Sequence, residues 1–313
     1  MRRLVAVGSV IALCWLSIPA FSAPGDGIYL RPGRLVVADG ATLNLYCTGK
    51  GSPTVLLDAG HQDWAPAWAV IQPQIATWTR ACSFDRPGYG FSPAGPMPRT
   101  SERIATELHD ALRKFGITGP YVLVGHAYGA TNMRVFANLY TDETRGLVLI
   151  DPDPDANTPE QAAAEHTIFI RQAEEIQRCR DTLADHVPQP ITLACDKRFF
   201  RGFPEPGWSA ALNSALNLAV HSRPELSDAA NAELEQIPSD ELWLRQHRNT
   251  LGARPIRVIT AAQHKPETIA AQALLLNASA NAKQILARHS RNSYVQRDEP
   301  ELVVQAIREA SGR

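Results

Sequence analysis

Residues 121–130, Tyr-Val-Leu-Val-Gly-His-Ala-Tyr-Gly-Ala, constrain this chain more than any other stretch. The apolar run 121–124 has the pattern of a strand buried on both faces of a parallel sheet. Residues 131–139 carry a helical pattern. The segment therefore reads as strand, tight turn, helix. Gly125 and Gly129 suit a turn where strand and helix approach too closely for a Cβ. Ala127 stands between them, at the apex where a backbone of this kind stores strain. A methyl group at that apex cannot attack a carbonyl.

The same alternation extends along the chain. Residues 34–38 and 42–48 read as a hairpin joined by Asp39-Gly40, a strong turn dipeptide. Residues 54–59, 81–84, 146–150, 255–261 and 283–287 are further strands, with helices expected at 67–78, 101–115 and from about 299. Thr100 or Ser101 caps the second of these, and Gly116 closes it. Strands alternating with helices imply a parallel sheet covered on both faces.

Residues 1–22 have the form of a secretory signal: Arg2 and Arg3, an apolar run, then Pro19-Ala20-Phe21-Ser22. Cleavage after Ser22 would give an exported protein, periplasmic or extracellular, with no stable membrane anchor. Without Arg2 and Arg3, 31 basic residues become 29 against 32 acidic, a balance of −3. That balance and the lack of any long basic run argue against a nucleic-acid partner. Cys47, Cys82, Cys179 and Cys195 remain, an even number that suits disulfides in an exported protein. No Cys-x-x-Cys or His-x-x-x-His spacing calls for a metal, and no cofactor is expected. Asp151-x-Asp153-x-Asp155 hints at calcium, but Ala156 and Ala162 stand where a calcium loop needs glycine and glutamate.

Several stretches together resemble the α/β-hydrolase superfamily of esterases, lipases and epoxide hydrolases. Leu56-Leu57-Asp58-Ala59-Gly60-His61 matches its oxyanion loop, and Asp85-Arg86-Pro87-Gly88-Tyr89-Gly90-Phe91-Ser92 matches the loop after its fourth strand. Gly125-His126-Ala127-Tyr128-Gly129 matches its nucleophile elbow, with alanine where the motif has serine. Leu147-Val148-Leu149-Ile150-Asp151-Pro152 and Glu299-Pro300-Glu301-Leu302-Val303 complete the match. The resemblance implies an eight-stranded, mostly parallel sheet with helices on both faces and an inserted helical cap. The core would comprise 23–151 and 253–313, and the cap 152–252; the sequence pattern there gives helices from 158 or 160 to 183 and at 208–219, 224–237 and 240–248. In the usual strand order of this fold, Cys47 and Cys82 lie on neighbouring strands and should be bonded. Cys179 and Cys195 would then close a cap loop.

The resemblance also assigns roles. Ala127 holds the nucleophile position, Ser293 the base position and His264 the acid position, so all three triad places are altered. His61 and Tyr128 would supply the oxyanion amides, which need only backbone. Asp151 is a possible surviving acid, at a strand end where some members carry it, although such a carboxylate commonly caps backbone amides. His289 is an alternative base. Three functions follow: a non-hydrolysing relative that binds an ester-, acid- or lactone-like ligand; a hydrolase using His289 and Asp151, with Ala127 substituted or bypassed by water; or a scaffold acting through its cap. Fold alone does not choose among them.

Overall fold

The computed structural model describes residues 26–153, 167–168, 171, 174–175, 178, 209, 211–212, 224–247, 250–290 and 294–313. Eight strands form one sheet: β1 (Arg34–Ala38), β2 (Ala41–Thr48), β3 (Thr54–Asp58), β4 (Ala81–Asp85), β5 (Tyr121–His126), β6 (Thr144–Ile150), β7 (Ile256–Ala261) and β8 (Ala282–Ala287). Their order is β1-β2-β4-β3-β5-β6-β7-β8. β2 runs antiparallel to both neighbours, and the strands from β4 to β8 are parallel. The order reverses between β3 and β4, so the carboxyl ends of β3 and β5 border the crevice where open α/β sheets place ligands.

The helices among the described residues are α1 (Gln72–Ala76), α2 (Ser101–Lys114), α3 (Tyr128–Leu139), α4 (Pro224–Gln246), α5 (Pro266–Ala273), α6 (Val295–Asp298) and α7 (Pro300–Ser311). Side chains of the central strands alternate between two cores, as a period of two requires. Leu56 and Leu123 pack with Leu108 and Leu112 of α2 and Met133 and Phe136 of α3. Val55, Leu57, Val122 and Val124 pack with Ile75 of α1 and Val303 and Ile307 of α7. Thr100 caps α2 by accepting from Arg103 N, and Gly116, at φ 80°, follows its end.

Two expected helices differ. The segment 67–78 is a 3-10 turn, Ala65–Trp68, followed by α1 rather than one helix. Pro73 enters at the start of α1, and its missing N–H cannot continue a helix from the preceding turn. The two cap helices expected at 224–237 and 240–248 are the single helix α4, with Pro238 inside it. Buried Leu234, Ile237 and Leu244 lie on both sides of the proline, so packing outweighs one lost backbone bond. α5, between β7 and β8, was not anticipated. The signal segment, most of the cap before Pro224, the Cys179–Cys195 pair and Ser293 lie outside the described residues.

Cys47 and Cys82 face each other across β2 and β4 and are bonded, with Cα atoms 4.1 Å apart. No helix among the described residues is long and apolar enough to cross a membrane.

Candidate active site

β5 ends at His126 and α3 begins at Tyr128, leaving Ala127 alone at the apex. Its backbone sits at φ 46°, ψ −119°, a conformation that L-residues adopt at a cost. Ala127 N donates to Ile150 O (3.0 Å), and Ala127 O accepts from Ala130 N (2.8 Å), so both sides of the apex are held. A Cβ on Gly125 would strike Gly129 O and stand 2.5 Å from Ala130 Cα. One on Gly129 would strike Asp58 O and stand 2.5 Å from Ala59 O. The two glycines therefore let β5, α3 and the end of β3 meet at the apex.

Gly60 and His61 follow β3 directly. A Cβ on Gly60 would lie 3.6 Å from Ala127 Cβ and 3.0 Å from His126 Nδ1, so this loop borders the apex. The loop that begins at Gly60 and the start of α3 at Tyr128 thus both border Ala127. His61 Nε2 lies 2.9 Å from Ala230 O of α4. A carbonyl only accepts, so Nε2 carries the proton. Burial lowers the pKa of this ring and keeps it neutral.

Asp151 follows β6 at φ 43°. His264 Nε2 donates to its carboxylate, 2.8 Å from Oδ1 and 2.9 Å from Oδ2. Oδ1 also accepts from Gln272 Nε2 (3.2 Å) and Ala261 N (3.4 Å). Both oxygens are thereby bonded to the loop after β7, and Oδ1 also to α5. His264 stands at the loop that the resemblance names for the acid, and it meets Asp151. His289 does not: its ring is exposed, its amide donates to Glu299 Oε1 (2.8 Å), and among the described residues no bond joins it to Asp151. Tyr294, the neighbour of Ser293 in sequence, has its ring 5.0 Å from that of His126. Ser92 and Ser83 are both buried. Ser92 Oγ donates to Asp85 O and accepts from Asn44 N, so it ties the loop after β4 to β2.

A family profile described as alpha/beta hydrolase fold matches residues 53–178. An uncharacterized Bacillus subtilis protein, YqjL, is 30% identical over 193 residues, covering 56% of this chain and 74% of that protein. The chain belongs to the alpha/beta-hydrolase superfamily. A 2-hydroxy-6-oxo-2,4-heptadienoate hydrolase of Pseudomonas putida is 30% identical over 125 residues, 38% of this chain and 44% of that protein. A thermophilic esterase from Thermogutta terrifontis superposes with a TM-score of 0.64 at 22% identity, over 88% of this chain and 96% of that one. The chain spans only 27–37% of the length of three other curated relatives it matches. Among the described residues no cluster of three metal-ligating side chains is present.

In this superfamily member the elbow is braced by a buried polar network. Arg86 is its hub and is 1% exposed. Its NH1 donates to Asp58 Oδ1 (2.7 Å) and Ala59 O (2.7 Å), and its NH2 to Gly60 O (2.9 Å). Its other side grips Glu233 of α4, 2.6 Å from Nε and 3.0 Å from NH2. Tyr89 Oη donates to the same carboxylate (2.9 Å). Asn132 of α3 donates to Asp58 Oδ2 (2.9 Å). Asp240, two turns further along α4, accepts from Ser101 N (2.9 Å) and Tyr128 Oη (3.0 Å). Burial raises the Asp58 carboxyl to about 6, against the lowering pull of Arg86. Burial likewise raises Asp240 to about 6, partly offset by its bonds from Ser101 and Tyr128. Burial alone would lower Arg86, but Glu233 and Asp58 outweigh it and raise the guanidinium above its ordinary value. In the sequence Arg86 is one residue of the loop motif after β4, with nothing local to mark its role. Glu233 and Asp240 carry no sequence signal, since their partners lie more than 100 residues away.

Proposed function

We infer that this alpha/beta-hydrolase relative binds an ester-, acid- or lactone-like small molecule at the elbow without hydrolysing it. The observation that carries this reading is Ala127 at the strained apex. The turn that presents a nucleophile is kept, and the atom it would present is a methyl hydrogen-bonding to nothing. Without Oγ no acyl-enzyme forms. Asp151 is engaged by His264, so a relay from Asp151 through His289 lacks its acid. By resemblance Ser293 stands where the base belongs. The backbone amides of His61 and Tyr128 survive these changes, because they need no particular side chain. The Ala127 methyl widens the space in front of them relative to a serine.

The proposed setting is outside the cytoplasm. The pattern of residues 1–22 supports it, and a disulfide between Cys47 and Cys82 suits an oxidising compartment. A near-neutral charge balance supports a small-molecule rather than a nucleic-acid partner.

The test has two arms. Melting temperature is measured against a panel of short-chain carboxylates, their esters and lactones, and turnover is measured on an activated short-chain ester. A saturable rise in melting temperature with at least one class, with no product burst, is expected. A burst matching the enzyme concentration would show an acyl-enzyme and overturn the reading. No shift with any class would move the function to the cap surface.

A further inference from the structure

α4 reaches the elbow through three attachments along one face. Ala230 O accepts from His61, Glu233 holds Arg86 and Tyr89, and Asp240 holds Ser101 and Tyr128. Two of these partners, His61 and Tyr128, belong to the loop and the helix start that border Ala127. The third, Arg86, grips the carbonyls of Ala59 and Gly60. Any movement of α4 is therefore transmitted to both walls of the oxyanion site.

The charges in this interface do not balance. Asp58, Glu233 and Asp240 are three buried carboxylates, and among the described residues Arg86 is the one guanidinium bonded into the cluster. Arg86 is shared between Asp58 and Glu233. Asp240 is 3% exposed and, among the described residues, meets only neutral donors: Ser101 N, Ser101 Oγ and Tyr128 Oη. Arg99 lies close by, with its carbonyl 3.5 Å from Tyr128 Oη, but its guanidinium is committed to Glu107 by two bonds. On α4 itself, the charge acting on Asp240 is Glu233, which repels it. A buried carboxylate with no cation pays a large desolvation cost when ionised and little when protonated.

We propose that α4 is a proton-controlled lid on the oxyanion loop, with Asp240 as its latch. Ser101 Oγ, whose proton goes to Asn132 Oδ1 (2.6 Å), lies 2.9 Å from Asp240 Oδ2, so a protonated Asp240 donates to it and the lid is seated. When Asp240 ionises, its charge is tolerated better in water than against α2 and α3, and the lid loosens. The direction follows from linkage. Asp240 binds its proton more tightly seated, near 6, than in an opened, solvated lid, where it has the ordinary value of 3.8. Seating is thus full below the lower value and weakens as pH rises from the lower to the higher. The total change is about 100-fold in the seating equilibrium. The consequence, easier ligand entry near neutral pH, rests on the pocket reading above.

Hydrogen exchange needs no ligand, so this proposal can fail without that reading failing. Protection of the α4 amides is compared with that of β6 from about pH 4 to about pH 7.5, corrected for intrinsic exchange. The α4 amides should lose tenfold to 100-fold in protection while β6 holds steady. Asp240→Asn, which mimics the protonated side chain, should abolish most of that fall and keep α4 protected. Tyr128→Phe removes a donor to the ionised form, so it should raise the seated value and extend the fall to higher pH. A flat wild-type profile would overturn the proposal, as would an unchanged fall in Asp240→Asn. Should Asp240→Asn not fold, an unmoved fall in Tyr128→Phe serves as the same refutation.

Discussion

Ala127 occupies a backbone conformation that its own side chain gains nothing from. Strain of this kind persists where the surroundings over-determine it, and here Ile150, Ala130 and the two flanking glycines do so. The first prediction concerns repair. Ala127→Ser alone should leave ester hydrolysis near the level set by binding and backbone amides. A serine hydroxyl needs a positioned imidazole, itself oriented by an acid. Asp151 is turned to His264, and the resemblance puts Ser293 at the base position. An ordinary enzymatic rate for the single variant on an activated ester would mean that another histidine serves as base. The second prediction concerns Asp151. Asp151→Ala leaves His264 Nε2 without its acceptor and Gln272 Nε2 with Pro152 O alone, and should cost about 1–3 kcal/mol, the range for leaving a buried donor unpaired. His264 is 31% exposed and can turn to water, which favours the lower end. A urea midpoint equal to wild type would deny the pair a structural role.

At the scale of elements, α4 among the described residues reaches the residues around the elbow, and Arg86 is the charged group it grips. Arg86→Met should be far more damaging than a surface arginine change. It strands Glu233 and Asp58 in a dry interface, and breaking a buried ion pair from one side costs about 3–5 kcal/mol. Arg86→Met with Glu233→Gln should recover part of the loss, since one stranded charge is gone. Urea unfolding of the single and double variants checks this, and equal losses would show that Glu233 does not couple to Arg86. Strands and α2 were legible because their apolar spacing and caps are local properties of the chain. α4 was legible as helix but not as one helix. Pro238 is a local stop signal, and only packing of the residues around it against the core overrides that signal.

At the scale of the whole molecule, Cys47–Cys82 links the antiparallel edge of the sheet to its parallel centre and closes a separation of 35 residues. Replacing both by serine should cost about 3–4 kcal/mol in the loop-entropy account. The loss should appear as a lower midpoint in unreduced protein, and peptide mapping that found both thiols free would contradict the bond. The fold and the elbow were written in the sequence itself. Apolar periodicity, turn glycines and the missing hydroxyl at Ala127 are fixed by neighbours a few residues apart, so they can be read without coordinates. The arrangement around the elbow was not. The union of Asp151 with His264 spans 113 residues, and that of Arg86 with Glu233 spans 147. Nothing local to any of these residues names its partner. A lone Glu in an amphipathic helix reads as a solvated charge until the chain folds back and buries it. Which carboxylates are dry, and which of them lack a cation, is a property of the packed interior, so only the tertiary structure could decide it.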